Sequence, residues 1–142
     1  MVTITILGKP MSKGRPRFQR AGNFVRTYTD DKTVEYENLV RLAWMQSGEE
    51  KLNGAIRALV LACFPIPKSL SKKKQKELID KPYTKKPDCD NIAKIVLDAL
   101  NGIAYDDDSQ IVNLEVQKEY SSEAKVVLML REVEVGDVRE SD

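Results

Sequence analysis

A short amphipathic helix with acids at both ends constrains this 142-residue chain more than any other feature. Lys86-Pro87-Asp88-Cys89-Asp90-Asn91 leads into it, and Asp106-Asp107-Asp108-Ser109-Gln110 follows it. Between them Ile92, Ile95, Val96, Ala99 and Ile103 recur at helical spacing on one face. Asp90 reads as the N-cap of a helix over Asn91 to Leu100 or Asn101, and Gly102 marks its end. Burying that stripe turns Asn91, Lys94 and Asp98 away from the core. Carboxylates grouped on one surface repel each other, and a divalent cation removes that cost. An oxygen-only donor set suits Mg²⁺ or Mn²⁺.

The rest of the chain reads as runs of both types around one core. Val2, Ile4 and Ile6 alternate with threonines as a strand. Residues 11–28 form a long basic loop that can close as a hairpin about Ala21-Gly22. Asp30 or Asp31 caps a helix whose core stripe is Tyr36, Leu39, Val40, Ala43 and Trp44, ended by Gly48. Ala55 to Phe64, apolar except for Arg57, predicts a central strand buried on both faces. Ser69 or Ser71 caps a short lysine-rich helix reaching about Ile79. Two antiparallel strands close the domain, Val112 to Tyr120 and Ala124 to Arg131, with a turn at Ser121-Ser122-Glu123. The expected fold is α+β, one domain over residues 1–135 with helices packed on a mixed β-sheet, followed by a frayed acidic tail at 136–142.

Composition removes several chemistries. Histidine is absent, which excludes histidine-activated nucleophiles and most zinc enzymes. Two cysteines support no disulfide framework; Cys63 reads as a small core residue, and Cys89, between two aspartates, as an unreactive thiol. No membrane span or signal peptide is legible, so the expected location is cytoplasmic.

The net charge of +1 conceals segregation. Lys9, Lys13, Arg15, Arg17, Arg20 and Arg26 occur with no acid among them, and eight lysines lie between Lys68 and Lys86 against Glu77 and Asp80. Local fields decide binding to a polyanion, so the basic stretches point to nucleic acid. Each site residue has a bland alternative: Asp90 as a cap, Lys94 and Asp98 as solvated surface, Asp106-Asp107-Asp108 as a polar turn. Jointly these weaken, because a turn rarely needs three successive aspartates. Asp108 directly precedes a strand, and a helix end meeting that strand end would bring it to Asp88 and Asp90. Such a triad holds a cation that activates water and stabilises charge on a phosphate, with Lys94 beside it. The loop from Asp106 is no calcium-binding EF-hand, having Ile111 at its sixth position and Gln117 at its twelfth.

Three segments together resemble the RusA family of Holliday junction resolvases, common in prophages: Lys86-Pro87-Asp88-x-Asp90-Asn91-x-x-Lys94, Asp98-Ala99-Leu100-Asn101-Gly102, and Asp107-Asp108-Ser109-Gln110. Lys13-Gly14-Arg15-Pro16-Arg17 and Arg26-Thr27-Tyr28 resemble that family's opening. The resemblance implies a homodimeric, Mg²⁺-dependent endonuclease that binds four-way DNA junctions and makes paired, symmetric nicks. It assigns Asp88, Asp90 and Asp108 to metal binding and catalysis, Asp107 as a neighbouring acid, and Lys94 as the essential lysine. Phosphate contacts are expected from Lys13, Arg15, Arg17, Lys85 and Lys86, with Phe18 or Phe24 as a wedge at the junction centre. Leu97, off the main stripe, is the candidate dimer contact. A dimer also suits the substrate, since a two-fold junction needs two equal active sites. The competing readings are a catalytically silent junction-binding protein and a metal-dependent nuclease acting on other DNA.

Overall fold

A computed structural model describes residues 1–13, 17–22, 24–28 and 30–134. Strand β1 (Val2–Leu7) alternates as expected, with Val2, Ile4 and Ile6 buried. The basic loop does close as a hairpin, β2 (Arg17–Ala21) against β3 (Phe24–Tyr28), a two-stranded sheet of its own. Gly22 lies in its turn at φ +63°, a left-handed angle that a side chain would disfavour. The side chains of Arg17, Phe18 and Phe24, all of Arg15, and the tail at 136–142 fall outside the described residues. Helix α1 (Asp31–Ser47) starts at Asp30, whose carboxylate accepts from Lys32 N at 2.8 Å, and stops at Gly48 in the left-handed region. Strand β4 (Ile56–Pro65) leads to α2 (Lys72–Leu78), capped by Ser71. Helix α3 (Cys89–Ala99), one 3-10 turn (Asp108–Gln110), β5 (Ile111–Ser121) and β6 (Lys125–Glu132) complete the order.

The main sheet runs β1-β6-β4-β5, with β4 and β5 parallel and the other pairs antiparallel. The last two strands are therefore antiparallel in direction but not partners, because β4 lies between them. The strand that is apolar except for Arg57 takes the centre, and β5, half of whose residues are polar, takes an edge. The parallel β4–β5 pair requires a long crossover, and α2 and α3 lie within it. Helix α3 packs on β5, and α1 packs on α3 and β1.

Helices cover only one face of the sheet. Ile56, Ala58, Val60, Ala62 and Phe64 are buried beneath them, while Arg57, Leu59 and Leu61 point to the other side and are half-buried; with Cys63 buried on that side, β4 is sealed on both faces only near its end. Three further expectations are corrected. Leu39 is exposed, and the buried stripe of α1 is Thr33, Tyr36, Glu37, Val40 and Trp44. Asp88, not Asp90, occupies the N-cap of α3, which begins one turn earlier than its apolar stripe. Leu97 is buried in the core of its own chain and is not free for a dimer contact. Fully buried side chains such as Ile92, Ile95 and Leu100 contribute about 1.5–3 kcal/mol each by leaving water, which fixes α3 and its acids against the sheet.

Candidate active site

The outward face of α3 carries one polar row. Its buried residues are Ile92, Ala93, Ile95, Val96, Leu97 and Ala99. Asp90, Lys94 and Asp98 are left at successive i, i+4 positions on the other side, one turn apart. Asp88 has extended φ/ψ and its side chain makes no capping bond, so its carboxylate stays available at the helix N-terminus, where the dipole favours negative charge. It lines a cleft of about 460 Å³ whose wall includes Lys9, Met11, Ser12, Lys86 and Asn91.

The three consecutive aspartates have three different tasks. Asp106 pairs with Lys51, Oδ1 to Nζ at 2.6 Å. Asp107 caps the 3-10 turn, accepting from Ser109 N at 3.1 Å in a reciprocal capping box with Gln110. Gln110 Oε1 accepts from the N–H groups of Asp106 and Asp107, and its amide donates to Gly54 O at 3.0 Å, tying the turn to the body. Bonds from the Ser109 side chain and N–H hold the Asp107 carboxyl below its ordinary pKa. Asp108 is the one that turns to α3. Its N–H donates to Asn101 Oδ1 at 2.8 Å, and its carboxyl lies close enough to that of Asp98 for the two to share a proton. Partial burial first, then the Asp98 bond and the charge of Asp107, raise its pKa. Beneath this pair, the buried Tyr105 hydroxyl donates to Leu97 O, which pins the loop to the helix.

Asp108 therefore lies beside Asp98, about two turns of helix from Asp90, ~12 Å of axial rise. Two contacts show the same polarity. Cys89 Sγ is 4.0 Å from Val116 O in mid-β5, whereas Asp98 meets the turn that enters β5, so α3 and β5 run in opposite directions. The expected meeting of Asp108 with Asp88 and Asp90 does not occur within one chain, because Asp108 enters the sheet at the other end of α3. Among the described residues no three acidic or cysteine side chains of one chain are grouped as a metal site. The donor chemistry still fits a hard cation: two carboxyls held in contact repel unless a proton or a cation lies between them.

A test follows from the raised Asp108 pKa. A carboxyl whose folded pKa is raised contributes stability below its unfolded pKa, and that stability is lost as pH rises through the folded value. Metal-free Asp108→Asn should thus melt on the order of 1–3 °C above wild type at pH 7, with the gap closing below the ordinary carboxylate range. Added Mg²⁺ should raise the wild-type melting temperature more than the variant's. Equal melting curves for both proteins at pH 7, with and without Mg²⁺, would show that this pair stores no repulsion.

The basic residues divide in two. Lys13 was expected on a phosphate, but its ammonium bonds Glu37 at 2.9 Å and lies 3.6 Å from Asp98, so its charge is neutralised inside the protein. Glu37 is only 7% exposed, and this contact explains an acid in the buried stripe of α1. Lys13→Met should destabilise the fold by about 1.5–3 kcal/mol, since it strands a buried carboxylate that has lost a charge-assisted bond. Chemical denaturation measures this, and Lys13→Met with Glu37→Gln should recover most of the loss. Lys85 and Lys86 are exposed beside the cleft, and Lys9 joins them across it. Lys118 Nζ donates to Lys85 O at 2.6 Å and Pro87 O at 2.9 Å, fastening this segment along β5.

Reading the sequence missed Glu37, Asn101 and the role of Lys9, and it treated Asp98 only as part of an exposed patch. The i, i+4 spacing of Asp90, Lys94 and Asp98 was the available signal for that aspartate. The family model described as endodeoxyribonuclease RusA matches residues 8–131. The chain is also similar to a Bacillus subtilis (strain 168) protein described as uncharacterized protein YqaN, 39% identical over 137 residues covering 93% of this chain and 96% of the other.

Proposed function

The chain belongs to the RusA family of endodeoxyribonucleases, and from that premise we propose that it resolves four-way DNA junctions as a cytoplasmic homodimer, by paired symmetric nicks that depend on Mg²⁺. The observation that carries this reading is the polar row on α3, headed by Asp88 at the N-cap, which lines a cleft flanked by Lys9 and Lys86. Asp88, Asp90 and Asp108 are the proposed metal ligands; because they lie at opposite ends of α3 in one chain, the homodimer would bring Asp108, with Asp98 beside it, from one copy to Asp88 and Asp90 of the other. Asp107, already engaged as a cap, supports Asp108 from the neighbouring position. Mn²⁺ would substitute, since it accepts the same oxygen donors. Bound there, the cation would activate a water and stabilise charge on the phosphate. Lys94, one turn from both Asp90 and Asp98, positions an ammonium toward the developing negative charge. Lys85, Lys86, Lys9, Arg15 and Arg17 supply phosphate contacts, which set affinity and make it fall with salt.

A synthetic four-way junction, incubated with the protein and Mg²⁺ or with EDTA, tests the proposal against linear duplex of the same sequence. Paired nicks on the junction alone, abolished by EDTA, are expected. Equal cutting of duplex would replace junction resolution with a general nuclease activity. Tight junction binding with no cutting in either Mg²⁺ or Mn²⁺ would leave a binding protein.

A further inference from the structure

We propose that Lys118 is a positioning residue for Asp88: with Tyr83 it clamps the main chain that leads into α3, and through that chain it sets where the Asp88 carboxylate is presented. The inference rests on the nuclease reading for the use of Asp88, but not for the clamp itself.

Asp88 is extended and exposed at the helix N-cap, and its side chain makes no capping bond. The direction of its carboxylate is therefore set by the main chain on either side. On the helix side, Ile92 N donates to Asp88 O at 3.1 Å. On the other side, three successive carbonyls are tied down. Lys118 Nζ donates to Lys85 O at 2.6 Å and to Pro87 O at 2.9 Å, and the Tyr83 hydroxyl donates to Lys86 O at 3.4 Å. Pro87 O belongs to the peptide that joins Asp88, so the ammonium holds the bond next to that aspartate.

The two clamp residues are themselves fixed. The Tyr83 ring stacks on Phe64, 3.7 Å between centroids and 1° from parallel, and Phe64 is fully buried. Tyr120 meets the same ring edge-on at 5.1 Å. Lys118 lies in β5, its carbonyl accepts from Tyr83 N at 3.1 Å, and its ammonium is 5.6 Å from the Tyr83 ring centroid. Strand, ring and ammonium thus form one connected frame anchored in the sheet.

The chemistry of the contact separates this lysine from the others. An ammonium serving solubility points to water, and one serving an ion pair faces a carboxylate, as Lys13 faces Glu37. Lys118 gives N–H groups to two neutral carbonyls of one short segment. That arrangement orders a loop, and the next residue of the loop is a proposed metal ligand. Groups that orient a ligand without touching the metal change metal affinity or activity by about 10–100-fold when lost.

Two measurements test this: Mn²⁺ binding, read from the electron paramagnetic resonance of the unbound ion, and single-turnover nicking of a four-way junction. Lys118→Met keeps an unbranched stem and removes the donors. It should weaken Mn²⁺ binding and slow nicking, each by about 10–100-fold, with an unchanged circular-dichroism spectrum. Lys118→Arg, whose forked donors can serve both carbonyls, should recover part of the Mn²⁺ affinity. In an Asp88→Asn chain, adding Lys118→Met should change Mn²⁺ affinity by less than about twofold, because Lys118 acts through Asp88. An equal loss in both backgrounds, or an arginine no better than methionine, would overturn the positioning role. A lowered melting temperature with wild-type Mn²⁺ affinity would leave Lys118 a fastener of the fold alone. If wild type cuts junctions and Lys118→Met binds and cuts as well, positioning is wrong and the nuclease reading stands. If wild type cuts no DNA but Lys118→Met weakens Mn²⁺ binding through Asp88, the nuclease reading fails and the positioning stands.

Discussion

Asp90→Asn is expected to abolish cutting of a four-way junction while junction binding survives or tightens. Asp90 is exposed on the first turn of α3, so the substitution leaves the core untouched. A carboxamide keeps the shape and loses the charge a hard cation needs. Metal-ion stabilisation of a reacting phosphate is worth several kcal/mol, and each 1.4 kcal/mol is tenfold in rate, so the loss should be on the order of 10³-fold. Binding should move the other way, because one negative charge is removed from a surface facing a polyanion. Single-turnover cleavage and a gel-shift titration on the same junction separate the two effects. Wild-type cleavage by the variant would take Asp90 out of the metal site and return it to a helix-dipole role.

Lys94→Ala carries the second large expectation, a loss of cleavage rate of about 10²-fold with little change in fold stability. Two accounts of Lys94 differ in size. As an exposed partner of Asp90 and Asp98, one turn away on each side, it contributes about 0.3–0.5 kcal/mol per pair to stability and nothing to chemistry. As a cation aimed at a phosphate, it affects the rate by several kcal/mol and the melting temperature hardly at all. It is exposed and has no ion pair among the described residues, in contrast to Lys13, which is held by Glu37 and Asp98. A normal rate together with a lowered melting temperature would decide for the first account. Lys94→Arg should recover part of the rate if charge alone is required.

The legible parts of this protein are those governed by local periodicity. Alternation in Val2, Ile4 and Ile6, the apolar run through β4, the cap at Ser71 and the stripe on α3 all translate into the observed elements. The outward patch of α3 was legible for the same reason, since burying Ile92, Ile95 and Val96 leaves Asp90, Lys94 and Asp98 no other side. Partner choice was not legible. The turn at 121–123 suggested that β5 and β6 pair, but β4 separates them, and that is a comparison between sheet orders with no local signature. Nor could three adjacent aspartates be told apart. Their roles depend on Lys51, Ser109 and Asp98, and two of these partners are distant along the chain.

Sequence by itself determined which residues are available for chemistry: an oxygen-only donor set, no imidazole, and basic segments on either side of it. It determined the family as well, because the order and spacing of those residues are linear properties. Tertiary structure decided which carboxyls touch. A helix is a rigid spacer, so once α3 is packed against β5 its two ends stay about 15 Å apart, and the acids before and after it cannot close on one point within a single chain.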